Sequence, residues 1–293
     1  MLGKRRRPMG CSGNLSKVTP FFYLLPSLFI FIIFVFVPFL QTIFYSFCKW
    51  DTPSHYVFAG FANYAKLSRD DAFIFSIKHN LIWLGITFAF PFLISLILSY
   101  ILMDMKGSLS LSLIYFIPSI LPPAAAGAMW LLIYAPHIGV LNYFLRLLGL
   151  EGWTWLGAET GLYALSVLFG WSFFGFCTLI IYNATGSINR AIIEAAKIDG
   201  ASGFKLFRNV IVPSLKKPIL FTSIFAAITA MNTFDVIYIT TRGGPGYATE
   251  LMATYIYRLV FMINDFGTAA AVSVVLGLAS ISLTAILVRE FWR

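Results

Sequence analysis

Ser187-Ile-Asn-Arg-Ala-Ile-Ile-Glu194-Ala195-Ala196-Lys197-Ile-Asp199-Gly200-Ala201-Ser202-Gly-Phe204-Lys-Leu-Phe207-Arg-Asn-Val210-Ile-Val212-Pro213 is a polar island between two apolar runs, residues 161–184 and 218–240. Ile188, Ile192, Ala195 and Ala196 recur at helical spacing on one face. Ser187 is placed to cap the start, and Gly200 supplies the left-handed residue that closes a helix. Ser202 is placed to cap a second helix whose apolar side is Phe204, Phe207 and Ile211 and which ends near Pro213. The stretch reads as a short helix, a glycine corner and a second helix. By periodicity alone it is either a hairpin packed beneath a membrane or a docking element, its two alanines permitting close approach by a soluble protein.

Working outward, the solvent of the rest of the chain is set by its composition. Of 293 residues, 59% are apolar and 11% charged, against roughly 45–50% and ~25% in a soluble domain. A soluble globular protein is excluded. Residues 21–47, 80–103, 109–135, 161–184, 218–240 and 266–291 each form an apolar run that reaches the ~20 residues needed to cross hydrocarbon. The expected fold is an all-α integral membrane domain of six spans over residues 21–291, preceded by a tail of residues 1–20 and interrupted by the loop 185–217. The first run is too long for a signal-peptide core and reads as a retained span. Pro26, Pro38, Pro91, Pro118, Pro122 and Pro123 fall inside runs, where neighbouring groups can satisfy the carbonyls that proline frees.

Six spans place both termini on one side, and the cations decide which side that is. Fourteen of the 21 Lys and Arg residues, but only four of the 12 Asp and Glu residues, fall with the termini and the 185–217 loop. That face is expected to be cytoplasmic, in a bacterial or archaeal inner membrane, beside anionic lipid. The formal charge of +9 is thereby accounted for by topology, and a nucleic-acid partner loses its support. Trp50, Trp153 and Trp155 suit the opposite, outer interface.

Catalytic constellations are missing. The chain has no G-x-x-x-x-G-K-[ST] phosphate cradle, H-E-x-x-H, C-x-x-C or G-x-S-x-G, so catalysis by this chain is not expected. His55, His79 and His137 sit in or beside outer loops without partners at ligand spacing, and Cys11, Cys48 and Cys177 are too scattered for a disulfide or metal framework. No metal site is expected. Ion-coupled transporters keep ionisable residues inside the membrane; here Asp235, near the end of the fifth run, is the clear candidate. Sparse intramembrane charge argues against the alternative class, a self-sufficient secondary transporter or channel for a small polar solute. Gly243-Gly244-Pro245 reads as a tight turn.

Glu194-Ala195-Ala196, then Gly200, then Pro213 resembles the EAA loop, EAA-x3-G-x9-I-x-L-P, of permease subunits in binding-protein-dependent ATP-binding-cassette importers. Val210 and Val212 stand for Ile and Leu, and Phe204 stands where Trp is frequent in the carbohydrate branch. The passage from Phe234 to Thr249, the segment Gly60-Phe-Ala-Asn63-Tyr64, and the proline-rich third run are similar to the MalF-like half of these importers. The resemblance covers nearly the whole chain from Phe21.

The resemblance implies the six-span type I permease fold. Its implied partners are a second, related permease, two cytoplasmic ATPases and an extracytoplasmic sugar-binding protein. ATP and Mg belong to the partner ATPase, with no cofactor in this chain. Glu194, Ala195, Ala196, Asp199 and Gly200 take the role of ATPase coupling. Asn232, Thr233, Phe234, Asp235 and Tyr238 bring together the aromatic, amide, hydroxyl and carboxylate groups that bind sugars, on a span that in this family contributes to a central cavity. Two readings of them stand side by side: a substrate path, or structural bonds in which Asn232 and Thr233 bind a neighbouring helix and Asp235 pairs with Arg242 or anchors the outer loop.

Overall fold

A computed structural model describes residues 15–52 and 55–291. The basic cluster Lys4–Arg7, Cys11 and Arg293 lie outside the described residues. The chain is helical apart from one hairpin. The first span is α1 (Leu15–Phe31), a π turn (Ile32–Phe36) and α2 (Val37–Tyr45). An antiparallel pair, β1 (Cys48–Thr52) and β2 (His55–Phe58), follows, an addition to the all-α expectation. Next come α3 (Ala62–Leu67), the long α4 (Asp71–Met103), α5 (Ser108–Ile120), α6 (Pro123–Ile133), α7 (Val140–Leu147) and α8 (Gly161–Thr185). The polar island holds α9 (Arg190–Ile198), α10 (Gly203–Leu206), a π turn (Phe207–Ile211) and α11 (Val212–Ser214). Then follow α12 (Lys216–Met231), α13 (Asp235–Thr240), α14 (Met252–Arg258), a π turn (Leu259–Ile263) and α15 (Phe266–Phe291). Among the described residues, five helical stretches are long and apolar enough to cross a membrane, and a bent pair makes six when taken as one span.

That bent pair is the third apolar run, residues 109–135. It is not a rod: α5 and α6 meet at 90°. Leu121 and Pro122 each precede a proline, a position that disfavours helical backbone, and both are extended, with ψ of 133° and 136°. The second helix starts at Asp71, ahead of the apolar run at residue 80, because Asp70 caps it by accepting from the Phe73 amide at 3.2 Å.

The buried face of α4 is rich in polar residues, among apolar clusters from the neighbouring helices. α4 buries Ser76, Asn80, Trp83, Thr87, Pro91, Ser95, Ser99 and Leu102, spaced by three or four residues, and leaves Leu81, Leu93, Ile97 and Ile101 exposed toward lipid. Small and hydroxyl side chains let helix backbones approach closely in hydrocarbon and bond across. Ser95 Oγ reaches the Phe174 carbonyl at 2.8 Å and Ser99 Oγ the Thr178 carbonyl at 3.2 Å, which joins α4 to α8. On the other side of α8 a Cβ at Gly175 would overlap the Tyr115 carbonyl, so α5 sits directly against its backbone. Cys48 and Cys177 are buried free thiols.

One side chain connects three helices. Asn80 of α4 donates to the Met231 carbonyl that ends α12 (3.2 Å) and accepts from the Met252 amide that opens α14 (2.7 Å), and it is 2% exposed. Asn80→Ala leaves both backbone groups buried without partners, a cost of about 1–3 kcal/mol for each. The variant is expected to unfold at clearly lower temperature in detergent, whereas Leu81→Ala, on the lipid face, melts close to the parent. Equal melting of the two variants would refute the clamp.

Candidate functional site

Between the two breaks in the helical spans lies a cavity of about 340 Å³. The α5–α6 bend contributes Ser119, Leu121 and Pro123 from one side; Thr229 and residues 232–236 contribute from the other. Phe169, Phe173 and Phe176 of α8, with Phe225 of α12, form an aromatic wall. Phe169 stacks on Phe173 with ring centres 5.5 Å apart, and Phe173 lies nearly parallel to Phe225 at 6.1 Å.

The second break has no proline or glycine. α12 ends at Met231 and α13 starts at Asp235. Asn232 Nδ2 bonds back to the Ile228 carbonyl (2.8 Å) and Thr233 Oγ1 to that of Thr229 (3.0 Å), while the backbone at residues 232–234 leaves the helix. Side chains of this kind compete with the helical ladder and favour its end. Thr233 also accepts from Trp83 Nε1 of α4 at 3.3 Å, so it is held by a neighbouring helix. Asn232 bonds within its own helix through Nδ2 and is exposed to the cavity. Asp235 lines the cavity as well and forms no ion pair with Arg242. Of the five residues singled out on this span, four line the cavity. Tyr238 does not; it stacks on Phe234 at 5.0 Å and on Tyr257 at 4.6 Å.

Beyond the apolar wall, three polar lining residues are not among those singled out from sequence: Ser119, Ser172 and Thr229. Each is a hydroxyl within an apolar run, and that was the available signal. Their roles differ. Ser119 Oγ donates to the Ser172 carbonyl (2.6 Å) and accepts from the Phe176 amide (3.2 Å), so it inserts into the α8 ladder and has little capacity left. Ser172 Oγ is buried with no partner.

At the other functional stretch, Asn189 rather than Ser187 caps α9, accepting from the Ala191 amide at 3.0 Å. Ser187 Oγ instead bonds the Ala184 carbonyl at 2.6 Å, at the end of α8. Gly200 has φ +81°, and the Ala201 amide reaches back to the Ala196 carbonyl at 2.9 Å, the bond of a left-handed helix stop. Ser202 makes no side-chain cap of α10; its carbonyl accepts from the Lys205 amide. The apolar face expected of α9 is divided. Ile188, Ile193 and Ala196 pack inward with Leu206, Ile211 and Leu215 against the ends of α4 and α8, while Ile192, Glu194, Ala195 and Asp199 face outward. Ile198 is 86% and Phe204 73% exposed. Tyr100 of α4 pins the corner by donating to the Gly203 carbonyl at 3.1 Å.

The Gly243-Gly244-Pro245 turn closes on a buried ion pair. A Cβ on Gly243, φ +87°, would collide with the Glu250 carboxylate. Glu250 is met by Arg258 at 3.4 Å, and the guanidinium lies over the Tyr247 and Tyr255 rings at 4.6 and 5.1 Å. His79, placed by the sequence at the edge of an outer loop, is half-buried, and its Nδ1 lies 3.3 Å from the Glu250 carbonyl.

A broken-span bundle with an aromatic-walled cavity at the breaks and an exposed helical corner at one end is the architecture of a solute permease, in which non-helical backbone is tolerated where it lines a cavity. The profile of the family described as "Binding-protein-dependent transport system inner membrane component" matches residues 92–291, and the chain belongs to that family as an ABC transporter permease rather than an enzyme. It is 29% identical over 286 residues to the probable ABC transporter permease protein YurN of Bacillus subtilis, covering 95% of this chain and 97% of that one. It is 32% identical over 236 residues to the sulfoquinovosyl glycerol transport system permease protein SmoG of Agrobacterium fabrum, covering 79% and 76%. The fold also matches a chain of a bacterial ABC transporter involved in the import of the acidic polysaccharide alginate. That match has a TM-score of 0.82 at 21% identity and covers 94% and 96% of the two chains.

Burial pushes the Glu250 carboxyl above its ordinary value, with Thr254 and Arg258 opposing. A carboxyl raised on folding contributes stability at low pH that is lost as pH climbs from about 4.5 through the raised value. The melting temperature of the parent is therefore expected to fall relative to Glu250→Gln across that rise. Arg258→Met, which strands the buried charge, is expected to cost about 3 kcal/mol at neutral pH, and Glu250→Gln placed on top of it to restore most of that loss. Melting curves that respond to pH alike in parent and Glu250→Gln would refute this account.

Proposed function

We propose that this chain, a permease subunit of the carbohydrate ABC-importer kind, forms one half of a sugar pathway and is driven from outside itself. The observation that carries the reading is the cavity between the two broken spans: aromatic faces suit sugar C–H surfaces, and Asn232 and Asp235 suit hydroxyls. A second, related permease supplies the facing half, two ATPase subunits bind ATP and Mg, and an extracytoplasmic binding protein delivers the cargo. SmoG, whose name specifies a sulfosugar glycoside, supports a carbohydrate class.

Coupling is assigned to Glu194, Ala195, Ala196, Asp199 and Gly200. Ala195 and Glu194 face outward beside the exposed Ile192 and Ile198, which gives a docking face with an apolar patch and a charged rim. Glu194 offers a charge-assisted hydrogen bond across such an interface. Ala196 lies on the inward side with Ile193 and sets how closely α9 sits on the bundle. The termini and this loop are placed on the cytoplasmic face of an inner membrane by the positive-inside bias.

Gly200→Val forces a branched side chain into left-handed backbone, where open space gives no steric excuse but φ does. In the assembled complex reconstituted in liposomes, Gly200→Val and Glu194→Lys are expected to abolish sugar-stimulated ATP hydrolysis while both variants insert and purify normally. Normal stimulation in either variant would remove the coupling assignment. Uptake by the purified single chain, without partners, would overturn the reading as a whole.

A further inference from the structure

The cavity lining contains one ionisable side chain, Asp235, and no Lys, Arg or His. The nearest cations along the chain, Lys217 and Arg242, do not line it, and Arg258 is committed to Glu250. The remaining polar lining residues are neutral: Ser119, Ser172, Thr229, Thr233 and Asn232, whose amide Oδ1 is left free by the bond through Nδ2. Phenylalanine faces, which carry the negative side of the ring quadrupole, form the wall. A carboxylate, phosphate or sulfonate entering this space meets like charge and π faces without a compensating cation. A vicinal diol meets the opposite situation, because the two oxygens of Asp235 can accept from neighbouring hydroxyls in charge-assisted bonds.

We propose that this half of the pathway selects uncharged, polyhydroxylated cargo and rejects anionic sugars, with Asp235 the residue that sets the preference. The proposal rests on the carbohydrate reading above and narrows it. It separates this chain from SmoG and from the alginate importer, whose names specify acidic cargo.

The test uses the assembled importer, co-purified with its second permease and ATPase subunits, in nanodiscs without binding protein, so that selectivity reads the membrane cavity alone. Saturation-transfer NMR compares matched probes: glucose against glucuronate and glucose 6-phosphate, and a neutral trisaccharide, raffinose or maltotriose, against trigalacturonate. The expected result is binding by neutral probes and at least about tenfold weaker binding by their anionic counterparts. Asp235→Asn, nearly isosteric, is expected to close most of that gap, and Asp235→Lys to reverse it. Equal binding of anionic and neutral partners in the parent, or a ratio unmoved by Asp235→Asn, overturns the proposal while leaving the carbohydrate reading in place. Failure of every probe, neutral and anionic, overturns the carbohydrate reading itself.

Discussion

A carbonyl freed in hydrocarbon has no water to turn to, and the bond from Asn80 to the Met231 carbonyl is what allows this bundle to break a span where it needs a cavity. α12 stops three residues short of α13, and the interruption exposes backbone in the middle of a membrane helix. Asn80 takes the last carbonyl of α12 and, through its other end, the first amide of α14. Trp83, one helical turn further along α4, holds Thr233 inside the interruption. Two residues of one helix thus stabilise the irregular backbone of another. Without them the cheaper solution is a continuous fifth helix, and a continuous helix would present no cavity-facing backbone or Asp235 N-terminal start.

The same reasoning explains why α8 serves as the common wall. It accepts hydroxyls from both flanks, Ser95 and Ser99 from α4 and Ser119 from α5, and at Gly175 it lets the α5 backbone come within direct contact. These bonds run to α8 carbonyls, so neighbouring helices are registered against its backbone rather than against rotatable side chains. Phe169, Phe173 and Phe176 hang on this frame and face the cavity, and at its far end Ile181 packs in the cluster of Ile188, Leu206 and Leu215 beneath the polar loop. A displacement of the loop therefore acts on the helix that carries the aromatic wall, through packed contacts along one rigid element. That continuity is the physical content of coupling in the proposed importer.

Much of this was legible because it depends on periodicity and on residues with one conformational meaning. Gly200 takes the left-handed backbone that its position between two amphipathic stretches demands. The apolar runs mark helices because hydrocarbon allows little else. What could not be read was partnership. Ser187 and Asn189 are both competent caps, and only the path of the chain leaving α8 decides that Ser187 closes one helix and Asn189 opens the next. Pro122 and Pro123 read as tolerated kinks, yet two consecutive pre-proline residues held extended make a right-angle bend. Attention to ionisable groups also hid the neutral ones. Asn80, Ser119 and Ser172 look alike as polar residues in apolar runs, but one is a clamp, one is a wedge in a helix ladder and one is an unfilled donor. Pattern reports that such residues are buried, whereas bond geometry reports which still have capacity.

The adjacent alanines of α9 show how one short motif can serve two surfaces. A helix docked between a membrane bundle and a second protein must be apolar on both sides, and nine residues give each side only two or three positions. Ile188, Ile193 and Ala196 serve the bundle; Ile192, Ala195 and Ile198 point away from it. Consecutive residues on a helix are separated by about 100°, so Ala195 and Ala196 straddle the boundary between the two surfaces, where a larger side chain would hold one partner off. Ile198, 86% exposed, and Phe204, 73% exposed, sit beside Lys197, Asp199 and Lys205 rather than within a lipid-facing apolar run. Under the proposed assignment, an ATPase subunit covering this outward face would bury them and offset the cost of leaving them in water.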